Sequence, residues 1–178
     1  MKTNNPARIQ HLSQRLDQFI KALFIITPIA TAFYCFGFNV LPHHNLIFET
    51  YGITELTLQN RSLLFIANLL PLSIALWCLW MLHKLFALFA EKIFYHQHNV
   101  KRFRALGLGL IAWVICDFIL TPVRSVILTL NQPEGSRVIA LNFELNDMIM
   151  LLAGIVTILL AWVVDEGRKI EEENLHTI

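Results

Sequence analysis

The chain has 178 residues, of which 56% are hydrophobic and only 15% are charged. This composition excludes an ordinary water-soluble domain, in which about a quarter of the residues are charged. The formal net charge is only +1, and no basic patch with base-reading elements is visible, so direct nucleic-acid binding is not expected.

Four apolar stretches predict membrane-spanning helices, because about 20 apolar residues are needed to cross roughly 30 Å of hydrocarbon. They cover residues 19–38, 63–89, 105–130 and 148–164. No linker or internal repeat separates them, so residues 1–178 are predicted to form one domain. The predicted fold class is an all-α membrane protein, a four-helix transmembrane bundle within the lipid bilayer.

Two further segments flank these spans. Residues 8–18 place Ile9, Leu12 and Leu16 at helical spacing, which predicts an amphipathic helix lying at the membrane surface. Residues 165–178 contain three consecutive acids, Glu171 to Glu173. Such a run cannot lie in lipid, so it predicts a solvated cytoplasmic tail.

The basic residues indicate how the chain is oriented. They cluster around the start of the first span and around the connection between the second and third spans: Lys2, Arg8, Arg15, Lys21, Lys84, Lys92, Lys101, Arg102 and Arg104. The other two connections hold only Arg61 and Arg137. By the positive-inside rule, both termini and the middle connection are predicted to be cytoplasmic.

The two outer connections carry strand signals. The stretch IALNFELN alternates apolar and polar residues, with Ile139, Leu141, Phe143 and Leu145 on one side, and ITELTL in the first outer connection is a weaker partner. Such alternation is typical of strands. The sequence therefore predicts a short extracytoplasmic β-ribbon that packs its apolar face onto the helix ends.

The third span contains an acid and a base. Asp117 and Arg124 are two turns apart on nearly the same helix face, with Thr121 and Pro122 between them. Ionised groups are costly in hydrocarbon, so both are expected to face the bundle interior. Asn68, in the second span, is predicted to lie at the depth of Arg124. Glu144 and Asp147, at the start of the fourth span, are further candidate partners of Arg124.

Two interpretations of this polar group stay open. The first is an internal hydrogen-bonded pair that locks the bundle, with the Thr121 hydroxyl satisfying a carbonyl that Pro122 frees. The second is a polar pocket that opens outward, in which Arg124 holds an anion and Asp117 titrates. The candidate ligand-pocket residues are Asp117, Arg124, Asn68 and Thr121.

The cytoplasmic side offers candidate contacts of another kind. Lys101, Arg102 and Arg104 stand at a helix start and are candidate contacts for lipid phosphates or for a soluble partner. Glu172 lies in the acidic tail and is a candidate contact for a soluble partner.

Metal, redox and enzymatic chemistry are not predicted. His43, His44 and Glu49 have suitable donor atoms, but adjacent histidines on an extended chain point to opposite faces. The three cysteines lie at different expected depths and are treated as small hydrophobic residues. No catalytic motif occurs, so the sequence predicts neither an enzyme nor a cofactor. Gly107, Gly109 and Gly154 are expected to permit close helix packing.

Two segments resemble a bacterial family of four-helix inner-membrane proteins known as domain of unknown function 2975. The resemblance lies in the cytoplasmic turn and at the C-terminal end: Phe94, Asn99, Val100, Arg102, Arg104, Gly107, Gly167, Ile170, Glu172, Leu175, Thr177 and Ile178. It implies a bacterial inner-membrane location and, through gene neighbourhood, a small helix-turn-helix transcription regulator as partner. It implies no enzymatic activity.

Two functional hypotheses follow. The first is a non-enzymatic membrane protein that binds a partner or senses the envelope and is coupled to a cytoplasmic regulator. The second is a small transporter or proton-coupled carrier that uses Asp117 and Arg124. Four spans are few for a monomeric carrier, so the second hypothesis requires a homo-oligomer.

Overall fold

The computed structural model describes residues 6–37, 56–90, 97–133 and 135–176. It contains four helices, α1 (Pro6–Phe36), α2 (Leu58–Ala90), α3 (Gln97–Thr129) and α4 (Leu145–His176). Each is long and apolar enough to cross a membrane, because a helix that rises about 1.5 Å per residue covers about 30 Å in 20 residues.

The first and last helices, α1 and α4, are longer than the predicted spans. The predicted amphipathic segment 8–18 is the first part of α1 and not a separate helix, since α1 runs without a break from Pro6 to Phe36. At the other end, α4 continues as a helix through the predicted tail as far as His176. Its charged part carries ion pairs at helical spacing: Arg168 with Asp165 at 3.2 Å and with Glu172 at 2.6 Å, and Lys169 with Glu166 at 3.1 Å.

The helices pack in chain order. Extensive contacts join α1 with α2, α2 with α3, and α3 with α4, and within the described residues other helix pairs make at most isolated contacts. The large apolar side chains of α1 and α4 are accordingly exposed along their length, among them Ile29, Phe33, Leu152 and Trp162. Such a surface suits a lipid environment, where apolar side chains need not be buried within the protein.

The end of the molecule that carries Phe36, Leu58 and Thr129 is called the pocket end, and the end that carries Ala90 and Gln97 the tail end. A buried cluster holds α1, α2 and α3 together at the pocket end: Cys35, Leu56, Leu64, Ile127 and Leu128.

Hydrogen bonds between helix termini reinforce the pocket end. Arg61 donates from Nε to the carbonyl of Leu56 at 3.1 Å and from Nη1 to the carbonyl of Phe36 at 3.0 Å. Asn131 Nδ2 donates to Thr57 Oγ1 at 3.2 Å. The end of α3 is thereby tied to the start of α2.

The predicted β-ribbon is wrong for the part of the chain that the structure describes, which contains no strand. Residues 136–144 have no regular secondary structure. Of the predicted partner ITELTL, residues 53–55 lie outside the described residues, and Leu58 already begins α2. The alternation in IALNFELN has a different physical cause. One side of this stretch lines a cavity at the pocket end, and the other side faces the exterior.

Glycines set the distance between neighbouring helices. A Cβ at Gly107 would lie 2.6 Å from Ile158 Cγ1 and 2.7 Å from the carbonyl oxygen of Gly154, so α3 and α4 touch through their backbones. A Cβ at Gly109 would lie 2.5 Å from the sulfur of Cys78 on α2. The predicted close packing at these glycines is confirmed.

Replacement of Gly107 by Leu is expected to lower the thermal unfolding midpoint in detergent, because the α4 backbone cannot yield to a side chain at this position. Overpacking of this kind costs about 1–3 kcal/mol. The matched control is Ala112→Leu on the same helix, where the side chain is exposed. Equal midpoints for the two variants would contradict a packing role for Gly107.

Candidate functional site

The acid and the base of α3 form an ion pair. Arg124 Nη1 donates to Asp117 Oδ1 at 2.6 Å, and the two side chains are 22% and 28% exposed. Two turns of helix separate the residues, so the guanidinium folds back along α3 toward the middle of the span. Arg124 therefore does not extend toward the helix end.

A cavity of about 240 Å³ surrounds this pair at the pocket end. All four helices and the segment before α4 contribute to its wall: Tyr34, Leu64, Asn68, Asp117, Thr121, Arg124, Ser125, Leu128, Ala140, Asn142, Glu144 and Asp147. The structure thus brings together the four residues that the sequence marked as a ligand pocket, Asp117, Arg124, Asn68 and Thr121.

A second cavity of about 210 Å³ lies between α1, α2 and α3. Asn68, Asp117 and Arg124 line it as well as the first cavity, and Thr27 and Thr31 of α1 add hydroxyl groups. The polar lining therefore continues from the first cavity into the space between α1, α2 and α3.

Local hydrogen bonds fix the polar groups on the cavity wall. Asn68 Nδ2 donates to the carbonyl of Leu64 at 2.8 Å and to the sulfur of Cys35 at 3.8 Å. Thr121 Oγ1 donates to the carbonyl of Asp117 at 2.8 Å. This differs from the expected bond to the carbonyl that Pro122 frees, which belongs to Phe118.

Residues 136–144, called the descending segment, run back along α3. The backbone N–H of Val138 donates to Thr129 Oγ1 at 3.4 Å, and that of Ala140 donates to Ser125 Oγ at 3.0 Å. Further on, the ring of Phe143 packs edge-to-face on Phe118 at 6.3 Å. The segment is therefore antiparallel to the part of α3 that lies at the pocket end.

The depth of this descent follows from elementary geometry. The rise of α3 from Phe118 to Thr129 is about 16 Å, and an extended chain from Val138 to Phe143 covers about the same length. Helix α4 therefore begins near the level of Phe118 and not at the level where α3 ends.

The two sides of the descending segment have different surroundings. Ala140, Asn142 and Glu144 line the cavity. Ile139 and Leu141 point outward and are 71% and 69% exposed. The prediction that the apolar side packs onto the helix ends is wrong for these two residues, because the polar side turns toward the ion pair and the apolar side is left for lipid.

The start of α4 fixes two carboxylates on the cavity wall. The carbonyl of Glu144 accepts the backbone N–H groups of Asp147 at 3.0 Å and Met148 at 3.3 Å. Asp147 Oδ2 in turn accepts the backbone N–H of Glu144 at 2.9 Å, which is the return half of a capping box. Asn142 Nδ2 donates to Glu144 Oε1 at 3.1 Å. Both acids are thus held in place by backbone contacts or short-range partners.

The charges in this cavity require water. Its wall carries three carboxylates, those of Asp117, Glu144 and Asp147, and the single guanidinium of Arg124. An ionised side chain within hydrocarbon costs about 2.5–3.5 kcal/mol on insertion scales. Non-helical backbone at membrane depth is tolerated where it lines a water-filled cavity. In a membrane, this arrangement is stable if water fills the cavity.

Sequence inspection missed several residues of this site. Tyr34 gave no signal, because a single aromatic residue near a span end is common. Ser125 and Thr129 continue the polar stripe of Asp117 and Thr121 at helical spacing. That periodicity was sufficient to mark them.

The tail end contains a second polar cluster that the sequence did not indicate. His83 Nδ1 of α2 contacts Asp17 Oδ1 of α1, and Lys21 Nζ lies 2.7 Å from the other carboxylate oxygen of Asp17. Asp17 lies in the segment 8–18, which the sequence predicts to lie at the membrane surface. The contact instead joins α1 to α2.

The predicted cytoplasmic contact residues have different surroundings. Arg102 Nη1 donates to the carbonyl of Lys84 and thus turns toward α2. Lys101 and Arg104 are exposed. Glu172 is paired with Arg168 on its own helix.

The described residues contain no set of three or more His, Cys, Asp or Glu side chains placed to hold a metal ion. His43, His44 and Glu49 lie outside the described residues. Cys35, Cys78 and Cys116 are buried and free.

One comparison with known proteins gives a match. The family model described as "Protein of unknown function (DUF2975)" matches residues 21–178. Among the curated proteins and the solved structures, none matches the chain.

Asp117→Asn or Arg124→Gln is expected to lower stability in detergent, because either change leaves its partner's charge unpaired. The loss should be about 1–3 kcal/mol, between the values for exposed and for fully buried ion pairs. The double variant should recover part of the loss, which a double-mutant cycle of thermal unfolding measures. The control Arg137→Gln removes an exposed base near the same end. Strictly additive losses would contradict an energetic coupling between Asp117 and Arg124.

Proposed function

We propose a function for this chain, which belongs to the DUF2975 family of proteins of unknown function: it is a non-enzymatic bacterial inner-membrane protein that binds a small polar ligand at its pocket end and transmits this binding to a cytoplasmic regulator. The observation that carries the proposal is the course of α4. This helix begins at the cavity, with Glu144 and Asp147 on the cavity wall, and ends as the charged extension 165–176.

The charge distribution supports an orientation for this proposal. Lys101, Arg102 and Arg104 lie near the start of α3 at the tail end, and Arg168 and Lys169 follow the apolar part of α4. The positive-inside rule assigns such a cluster to the cytoplasm. The pocket end then opens toward the periplasm, and both termini are cytoplasmic.

The tail end has two surfaces suited to different partners. Lys101 and Arg104 are exposed next to the apolar part of α3, where bases attract anionic lipid head groups. The extension 165–176 carries acids and bases in i,i+3 and i,i+4 pairs, which stabilise a solvated helix. Glu173 is exposed on this helix, and a soluble protein with a basic groove is the complementary partner. The partner class we propose is a small helix-turn-helix transcription regulator.

Deletion of Asp165 to Ile178 is expected to abolish co-purification of such a regulator with the protein from native membranes in a mild detergent. The deletion removes the charged helix but leaves the apolar part of α4 in place. Proteins retained by the full chain are identified by mass spectrometry and tested for DNA binding. Arg137→Gln, a charge change at the opposite end, should retain the partner. Retention after the deletion, or the absence of any regulator on the full chain, would refute this coupling.

A second candidate function is a small transporter or proton-coupled carrier. The observation that favours it is that Asp117 and Arg124 line both cavities, so polar groups continue inward between α1, α2 and α3. Four spans offer little room for a complete path, so this function requires a homo-oligomer.

For a proton-coupled carrier, Asp117→Asn should abolish proton uptake into proteoliposomes that contain a pH-sensitive dye and carry an imposed membrane potential. The variant keeps the shape of the side chain but removes its titratable proton. Arg124→Gln should also reduce uptake, whereas Ser73→Ala, at an exposed position of α2, should not. Uptake equal to that of empty liposomes, or unchanged in the Asp117 and Arg124 variants, would exclude a proton-coupled carrier.

A further inference from the structure

We propose that the ligand of the first cavity is a small organic cation, such as an amine in its ammonium form. This inference rests on the proposed ligand-binding function and assigns a chemical class to the ligand. It departs from the expectation that Arg124 holds an anion.

The charge balance of the cavity is the first argument. Asp117 and Arg124 neutralise each other across 2.6 Å. Glu144 and Asp147 remain, and no cationic side chain among the described residues forms an ion pair with either. The N-terminus of α4 supplies about half a positive charge. The cavity is therefore left negative, and an anion would have to approach all three carboxylates to reach the remaining N–H groups of Arg124.

The positions of these carboxylates are the second argument. The Asp147 carboxylate caps α4 by accepting the backbone N–H of Glu144, and Asn142 holds the Glu144 side chain. A cation would meet in Asp147 an acceptor that this backbone contact already holds in place. Such an acceptor costs less to order on binding than a flexible side chain does.

The character of the remaining wall selects an organic cation over a metal ion. No group of metal-ligating side chains is assembled in the described part of the chain. Tyr34 contributes an aromatic side chain to the cavity, next to Leu64 and Leu128. Aromatic rings attract ammonium groups, and the leucines suit the carbon chain of an amine. A cavity of about 240 Å³ accommodates a molecule of this kind.

The test compares two thiol reagents of similar size and opposite charge, trimethylammonium-ethyl and sulfonato-ethyl methanethiosulfonate. They are applied to Asn142→Cys within the cavity wall, to Thr121→Cys as a second cavity position, and to Ser136→Cys outside the cavity. Each rate is corrected for the protein without an added cysteine. The ratio of cationic to anionic rates should be about tenfold higher at the cavity positions than at Ser136→Cys. Adding Glu144→Gln should lower that ratio.

The experiment is performed on intact cells and on inverted membrane vesicles, so that orientation and charge selectivity are measured separately. Reaction at the cavity positions only in inverted vesicles would overturn the proposed periplasmic opening. The measured ratio of the two rates would still decide whether the ligand is a cation. Equal ratios at all three positions, or a preference for the sulfonate reagent in the cavity, would overturn the cation class. A ratio unchanged by Glu144→Gln would overturn the assignment of that carboxylate.

Discussion

The ion pair between Asp117 and Arg124 is the constraint around which the pocket end is organised. A charged pair within a span must be kept from hydrocarbon, and α3 alone cannot enclose it. Tyr34 of α1, Asn68 of α2 and the residues before α4 enclose it from other sides. These contributions explain why helices that pack only in chain order nevertheless converge at this end.

Hydropathy and charge predicted the helical content well, because each span depends on local composition. The four helices cover almost all of the predicted spans, and their continuity into residues 6–18 and 165–176 shows that charged flanks extended the same helices. The predicted β-ribbon failed for a physical reason. Period-two alternation indicates two different environments on the two sides of an extended chain, but it does not require a paired strand. Here the two environments are the polar cavity and the exterior.

The site was predictable where its residues lie on one helix. Asp117, Thr121 and Arg124 share a face of α3, and helical spacing places them together without knowledge of the fold. Contacts between helices could not be predicted in this way, because the spacing of residues along one helix does not identify the residues that they meet on another helix. Tyr34 in the cavity and the contact between Asp17 and His83 were missed for this reason.

The descending segment also determines how far α4 projects at the opposite end. Gly107 and Gly154 touch and therefore lie at one level. Residue 164 of α4 and Gln97 at the start of α3 lie the same number of residues from that contact, toward the tail end. They are therefore level with each other. The remaining residues, as far as His176, extend about 18 Å past that level. A connection that crossed directly at the height of Thr129 would start α4 higher and draw this extension back toward the bilayer. The path of the connection at the pocket end thus sets how far the charged end of α4 stands from the bilayer at the tail end.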